Sequence, residues 1–228
     1  STPRAGTITV TSTSDNDPGS LRQALADAVA GDTIDFSVAS VTLTSEQLSV
    51  TKNLIIDGGT GVTIQRSSVA TIPDFRIFTV NSGITLELRK ITITNGKTSD
   101  GTGGGGIFVD GGSLTLKNCT VSGNATGDED FSGTDAYPGG YGGGIYVKSG
   151  TLTLENTTVS SNTTSNGKFV YDGDNYEGGD GGGIYADTST VILKSSSVTQ
   201  NTTGTGNYNA SSGDGGFGGG ICIDGAAA

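Results

Sequence analysis

The phrase Gly-Gly-Gly-Ile occurs four times, ending at Ile107, Ile145, Ile184 and Ile221, at spacings of 38, 39 and 37 residues. This repeat constrains the fold more than any other feature. A unit of this length with one apolar face buries that face only by stacking on a copy of itself. A second matching segment follows each of the first three phrases: Leu114-Thr-Leu-Lys-Asn-Cys-Thr-Val-Ser-Gly-Asn124, Leu152-Thr-Leu-Glu-Asn-Thr-Thr-Val-Ser-Ser-Asn162 and Val191-Ile-Leu-Lys-Ser-Ser-Ser-Val-Thr-Gln-Asn201. A degenerate copy precedes them, with Phe78-Thr-Val80 and then Leu86-Glu-Leu-Arg-Lys-Ile-Thr-Ile-Thr-Asn95.

Apolar residues alternate within each copy. Ile145 and Val147 point one way and Tyr146 the other; Leu152 and Leu154 point in, and Thr153 out. Period two means strands with one buried face. Each copy reads as three short strands divided by Gly, Asn or Asp turns. Stacked in register, the inward residues form ladders: Ile107, Ile145, Ile184 and Ile221; Leu116, Leu154 and Leu193; Val121, Val159 and Val198. The predicted fold class is all-β, a parallel β-helix (solenoid) of about seven rungs about 4.8 Å apart. It takes in residues 1–228 as a single domain.

The first part of the chain fits the same plan less regularly, with strands expected at 7–10, 33–36, 41–44, 54–57, 62–65 and 77–80. One short helix is expected over 20–30. Ser20 is its N-cap and Gln23 reaches back in a capping box. Leu21, Ala24, Leu25, Ala28 and Val29 form one apolar stripe, and Gly31 suits the C′ position. A solenoid must cover its terminal strand edges, so this helix reads as the N-terminal cap.

The segment Asp15-Asn-Asp-Pro-Gly-Ser-Leu-Arg-Gln-Ala-Leu-Ala-Asp-Ala-Val-Ala-Gly-Asp-Thr-Ile-Asp-Phe36 and the phrase Asn53-Leu-Ile-Ile-Asp-Gly58 resemble the openings of large secreted bacterial and archaeal β-helix proteins. The Gly-Gly-Gly-Ile-Tyr and Asn-x-Thr-Val-Ser-x-Asn repeats are similar to those of polymorphic outer-membrane proteins and autotransporter-like passengers. The resemblance covers nearly the whole chain. It implies a right-handed parallel β-helix at a cell surface, acting as an adhesin or structural extension, and brings no set of catalytic residues with it. Two departures stand out: such relatives are usually longer, and their repeats are usually shorter.

The extra length lies in three insertions, 124–141, 162–180 and 201–217, which in-register rungs would project from one edge. Loops this long in a compact domain usually carry function or are disordered. They hold Phe131, Tyr137, Tyr141, Phe169, Tyr171, Tyr176, Tyr208 and Phe217. Clustered surface aromatics suit a protein interface or sugar stacking, and otherwise fold back over the solenoid's side. Acids share the loops. Asp172, Asp174 and Asp180 are the candidate calcium ligands, although no EF-hand glutamate follows them; the alternative is a solvated acidic loop. Otherwise no cofactor is expected.

Glycosylation sequons occur at Asn118, Asn124, Asn156, Asn162, Asn201 and Asn209. Asn118 and Asn156 lie at a turn and are candidates for a buried asparagine ladder. Asn124, Asn162 and Asn201 open the insertions and, with Asn209, are the candidate glycosylation sites. Cys119 falls on the inward position of Ile91. Cys222 matches Tyr146 and Tyr185 and should face out, too far along the axis from Cys119 for a disulfide.

Histidine is absent, which removes the commonest general base and metal ligand. A net charge of −11 argues against nucleic acid as a partner, and no apolar stretch is long enough for membrane insertion. The opening Ser-Thr-Pro-Arg is compatible with a mature, secreted terminus. The chain stops one strand into a new rung, which reads either as part of a longer protein or as a joint for end-to-end self-association. Asp57 and Asp110, with Arg66, Arg76, Arg89 and Lys90, are the only groups suggesting catalysis on the outer faces. Their spacing is not diagnostic of an enzyme. Outward threonines raise ice binding, but Thr115 and Thr153 are flanked in the ladder by Glu87 and Ile192, which breaks the array. The expected order is therefore a secreted or cell-surface structural or adhesive protein, including a head-to-tail filament subunit whose partners are itself, another surface protein or a glycan. A carbohydrate-binding or polysaccharide-cleaving β-helix comes second, and an ice-binding protein third.

Overall fold

A computed structural model describes residues 5–98, 102–127, 139–167, 177–206, 208–209, 211–212 and 214–225. The chain winds into a parallel solenoid with three sheet faces. The first face stacks seven strands: Thr7–Val10, Thr33–Phe36, the first half of Leu54–Arg66, the first half of Thr85–Thr94, Ser113–Lys117, Thr151–Glu155 and Thr190–Lys194. The second face runs from Ser40–Leu43 through the second halves of Leu54–Arg66 and Thr85–Thr94 to Thr120–Ser122, Thr158–Ser160 and Ser197–Thr199. The third stacks Leu48–Val50, Phe78–Val80, Ile107–Asp110, Ile145–Lys148, Ile184–Asp187 and Ile221–Asp224. Among the described residues no helix is long and apolar enough to cross a membrane.

Every repeat-phase ladder expected from the sequence is present. Ile107 pairs Ile145, which pairs Ile184 and then Ile221. Leu116, Leu154 and Leu193 align, as do Val121, Val159 and Val198. Their members up to the sixth rung are fully buried and join one core that runs from Val10 to Ile184. The last rung differs: Leu193 is 41 % and Ile223 60 % exposed, whereas their partners on the rung before, Leu154 and Ala186, are wholly buried. The 54–57 and 62–65 strands merge into one, with the register shifting between Asp57 and Val62.

The helix is shorter than expected, Leu21–Asp27 rather than 20–30. Ser20 Oγ accepts from Gln23 N as a cap should, but the Gln23 amide turns away to Asp27 Oδ1, so the capping box is half formed. Gly31 is not the helix C′ residue; its N–H reaches across to Asn53 O. Leu21, Ala24 and Ala28 enter the core, and Val29 faces water. Around the helix, side chains satisfy backbone groups of the terminal strand region. Buried Asp15 accepts from Thr44 N, Ser45 N and Ser45 Oγ through one oxygen and from Arg22 through the other. Arg22 in turn donates to Glu46 O and Gln47 O, and Lys52 to the helix-end carbonyls of Leu25 and Ala26.

The glycine corner explains the repeat phrase. Gly104, Gly142, Gly181 and Gly218 adopt positive φ near 60–74°, a region that suits glycine. At Gly106, Gly144 and Gly183 a Cβ would press on the side chains of Asn124, Asn162 and Asn201. These asparagines are not exposed loop openers. Asn124 and Asn162 are buried at 1 % and 0 % exposure and Asn201 is half-buried. Asn124 Nδ2 donates to Asn162 Oδ1 at 3.0 Å and Asn162 Nδ2 to Asn201 Oδ1 at 2.9 Å. The two expected asparagine roles are therefore exchanged: Asn118 and Asn156 are exposed turn residues at φ 54° and 48°. The first residues of each insertion also belong to the coil. Lys97–Thr98 pairs with Ala125–Thr126, and bridges continue through Thr163 to Thr202.

Asn162→Ala strands the buried Asn124 N–H, whereas Asn124 Nδ2 keeps the carbonyls of Ile93 and Ser122, so it should lower unfolding stability by about 1–3 kcal/mol. Asn156→Gly should stay within about 0.5 kcal/mol. Urea denaturation of the two variants checks the difference. Burial raises the Asp15 pKa, but its bonds from Ser45, Thr44 and Arg22 outweigh that and hold it below 3.8. Asp15 thus stabilises the fold above that pH, and the contribution is lost as pH falls through its folded value. Asp15→Asn should be less stable at neutral pH, with the gap closing in acid melts below about pH 3.8.

Candidate functional site

The outward residues of the third face are aromatic. Phe108, Tyr146, Tyr185 and Cys222 occupy one position on successive rungs. Rung spacing brings the rings into contact: Phe108 and Tyr146 lie 5.0 Å apart, and Tyr146 meets Tyr185 edge-on at 5.3 Å. Tyr141 folds back from the end of the first insertion and stacks on Tyr185 at 4.6 Å. Tyr185, outward by register, is consequently only 6 % exposed, and its hydroxyl donates to Asp224 Oδ2. Burial pushes the Tyr146 hydroxyl up to about 12. It also raises Tyr141, helped by Asp180, and Tyr185, helped by its bond to Asp224.

A gap opens beside this strip. Gly104 N donates to Tyr141 O, Gly142 N to Asp180 O and Gly181 N to Phe217 O. The position before the positive-φ glycine is thus Gly103, Tyr141, Asp180 and Phe217 on successive rungs. A side chain at Gly103 would overlap the Tyr146 ring and the Tyr141 carbonyl. Its lack of one leaves a cleft of about 280 Å³ between Phe108, Tyr141 and Tyr146, with Arg76, Lys148 and Thr102 at the rim. The Arg76 guanidinium lies 4.9 Å from the centre of the Phe108 ring and donates to Thr102 Oγ1. Aromatic walls with a cationic and hydroxyl rim suit a small ring that carries polar substituents.

Of the aromatics proposed from the sequence, Tyr141 lines this cleft. Phe217 stands 59 % exposed on the last rung, its N–H bonded to Asp180 Oδ1. Tyr208 and Asn209 lie in a short antiparallel hairpin with Ser211–Ser212. Phe131, Tyr137, Phe169, Tyr171 and Tyr176 lie outside the described residues, as do Asp172 and Asp174. Among the described residues Asp180 joins no cluster of acids able to hold a metal. The expected accessibility of Asn124 and Asn162 for glycosylation fails, because both are sealed in the asparagine ladder. The suggested acid–base groups are partly spent on an ion-pair ladder. Asp57, Arg89, Lys117, Glu155 and Lys194 align on the first face, with Glu87 bridging Arg89 and Lys117. Arg66 pairs with Asp74. The sequence reading missed Phe108, Tyr146, Arg76 and Gly103 as a unit. The signal was an aromatic one place after each of the first three Gly-Gly-Gly-Ile phrases, beside the one rung where glycine replaces a larger residue.

Raised tyrosine values stabilise the fold fully below about pH 10, the ordinary tyrosine value, and that contribution is lost as pH rises through the folded values, about 12 for Tyr146. Ultraviolet titration should therefore show a late-ionising tyrosine class, with melting temperature falling above about pH 10. Tyr146→Phe should remove one member of that class.

The sequence profile described as right handed beta helix region matches residues 39–225. No curated protein and no solved structure gives a significant match. With most of its length covered by that profile and its strands wound in parallel register, the chain belongs to the right-handed β-helix family.

Proposed function

We propose that this chain is an extracellular adhesive solenoid that holds a saccharide of a partner surface in the third-face cleft. The cleft carries the reading, because it places aromatic walls and two cations around a space vacated at a single glycine, Gly103. Tyr141 links it to the edge from which the insertions leave. The stacked ladders supply a stiff support, and rigid presentation lowers the entropic cost of binding.

End-to-end assembly is a second reading, drawn from the exposed Leu193, Ile223 and Phe217 of the last described rung. The helix, with Arg22 and Lys52, covers the opposite end, so a head-to-tail joint would have to form over it. The cleft needs no such rearrangement and is preferred.

Calorimetric titration with a panel of soluble neutral and acidic oligosaccharides tests the proposal. At least one should bind, and Tyr146→Ala should weaken it about tenfold. Equal binding by Tyr146→Ala, or no binding by any saccharide, overturns it. Product analysis on the same samples would show whether the bound sugar is cleaved.

A further inference from the structure

The second face carries a feature that the cleft does not use. Its outward positions form two columns in strict register. One holds Ser40, Thr63, Thr92, Thr120, Thr158 and Ser197; the other holds Thr42, Gln65, Thr94, Ser122, Ser160 and Thr199. Eleven of the twelve are hydroxyl residues, and none is charged or aromatic. The interrupted array on the first face, with Glu87 and Ile192 beside Thr115 and Thr153, is therefore not the relevant one.

Three properties make this face a lattice. Neighbouring rungs set hydroxyls about 4.8 Å apart, and alternate residues along a parallel strand set them about 6.6 Å apart. The positions are held from beneath by fully buried Val41, Ile64, Ile93, Val121 and Val159, and threonine is stiff at χ1. Most of the hydroxyls are left to solvent: among the described residues only those of Thr42, Thr158 and Ser197 bond to another side chain or to backbone.

We infer that the second face is an ice-binding plane. A single hydroxyl gains almost nothing by exchanging liquid water for another partner. A rigid array gains only from a surface that offers many fixed partners at once, which is multivalency without flexible linkage. Ice offers oxygens in a plane with repeats on the same scale, and it is uncharged, as this face is in a chain of net charge −11. A crystalline polysaccharide also presents periodic hydroxyls, but its sugar rings reward aromatic stacking, which this face lacks.

The inference stands apart from the cleft reading, and the test separates them. Purified full-length chain is frozen slowly onto an ice probe, and its partition into ice is compared with that of serum albumin. The chain should enrich in ice, and Thr120→Lys with Thr158→Lys should cut enrichment about tenfold. Thr153→Lys on the first face and Tyr146→Ala on the third should leave it unchanged. Circular dichroism melts confirm that each variant is folded. Exclusion of the wild type from ice, or equal partition by the second-face variants, overturns the inference. Exclusion from ice with second-face-dependent binding to cellulose or chitin fibrils overturns it in favour of a polysaccharide.

Discussion

A strand in this protein cannot satisfy its own backbone. Each rung donates and accepts only across the 4.8 Å gap to the next, so the structure depends on in-register parallel stacking. That constraint turns local sequence into columns. Whatever stands at one position on one rung faces its counterpart above and below, so a residue type repeated in the sequence becomes a surface or a core in space. The buried isoleucine, leucine and valine ladders are one result. The ion-pair ladder through Arg89, Lys117 and Glu155, the aromatic strip and the hydroxyl lattice are others.

Polar ladders carry as much of the specification as apolar ones. An apolar column tolerates a slip between similar side chains, whereas Asn124, Asn162 and Asn201 exchange backbone and amide bonds that a slip would leave open. The glycines beside them exist because the asparagine amides and the neighbouring backbone leave no room for a Cβ. The repeat phrase and the repeated asparagine are thus two halves of one corner, and the insertions can be long because this corner closes each of them at its base.

The three faces are chemically separate although they share one core. Charge lies chiefly on the first, hydroxyls on the second and aromatics on the third. A parallel solenoid permits this because each face is built from its own set of short strands, so changes on one leave the hydrogen bonding of the others untouched. Faces of different chemistry can therefore be built side by side on one core.

Period-two alternation and the fixed spacing of Gly-Gly-Gly-Ile were enough to determine the parallel β-helix and the membership of its inward ladders, because both follow from which residues alternate and how often they recur. Helix length, the exchanged roles of the asparagines and the burial of Tyr185 were not legible. Asn118 and Asn124 lie within one sequence motif, and only the turn dihedrals decide that the first points to solvent and the second into the corner. Likewise the cleft exists because Tyr141 folds back over the third face while Gly103, one rung earlier, has no side chain to fill the space. Sequence alone determined which residues repeat, a property of order along the chain; tertiary structure decided which columns are adjacent and which are covered, because that depends on corner geometry and on contacts between segments far apart in the chain.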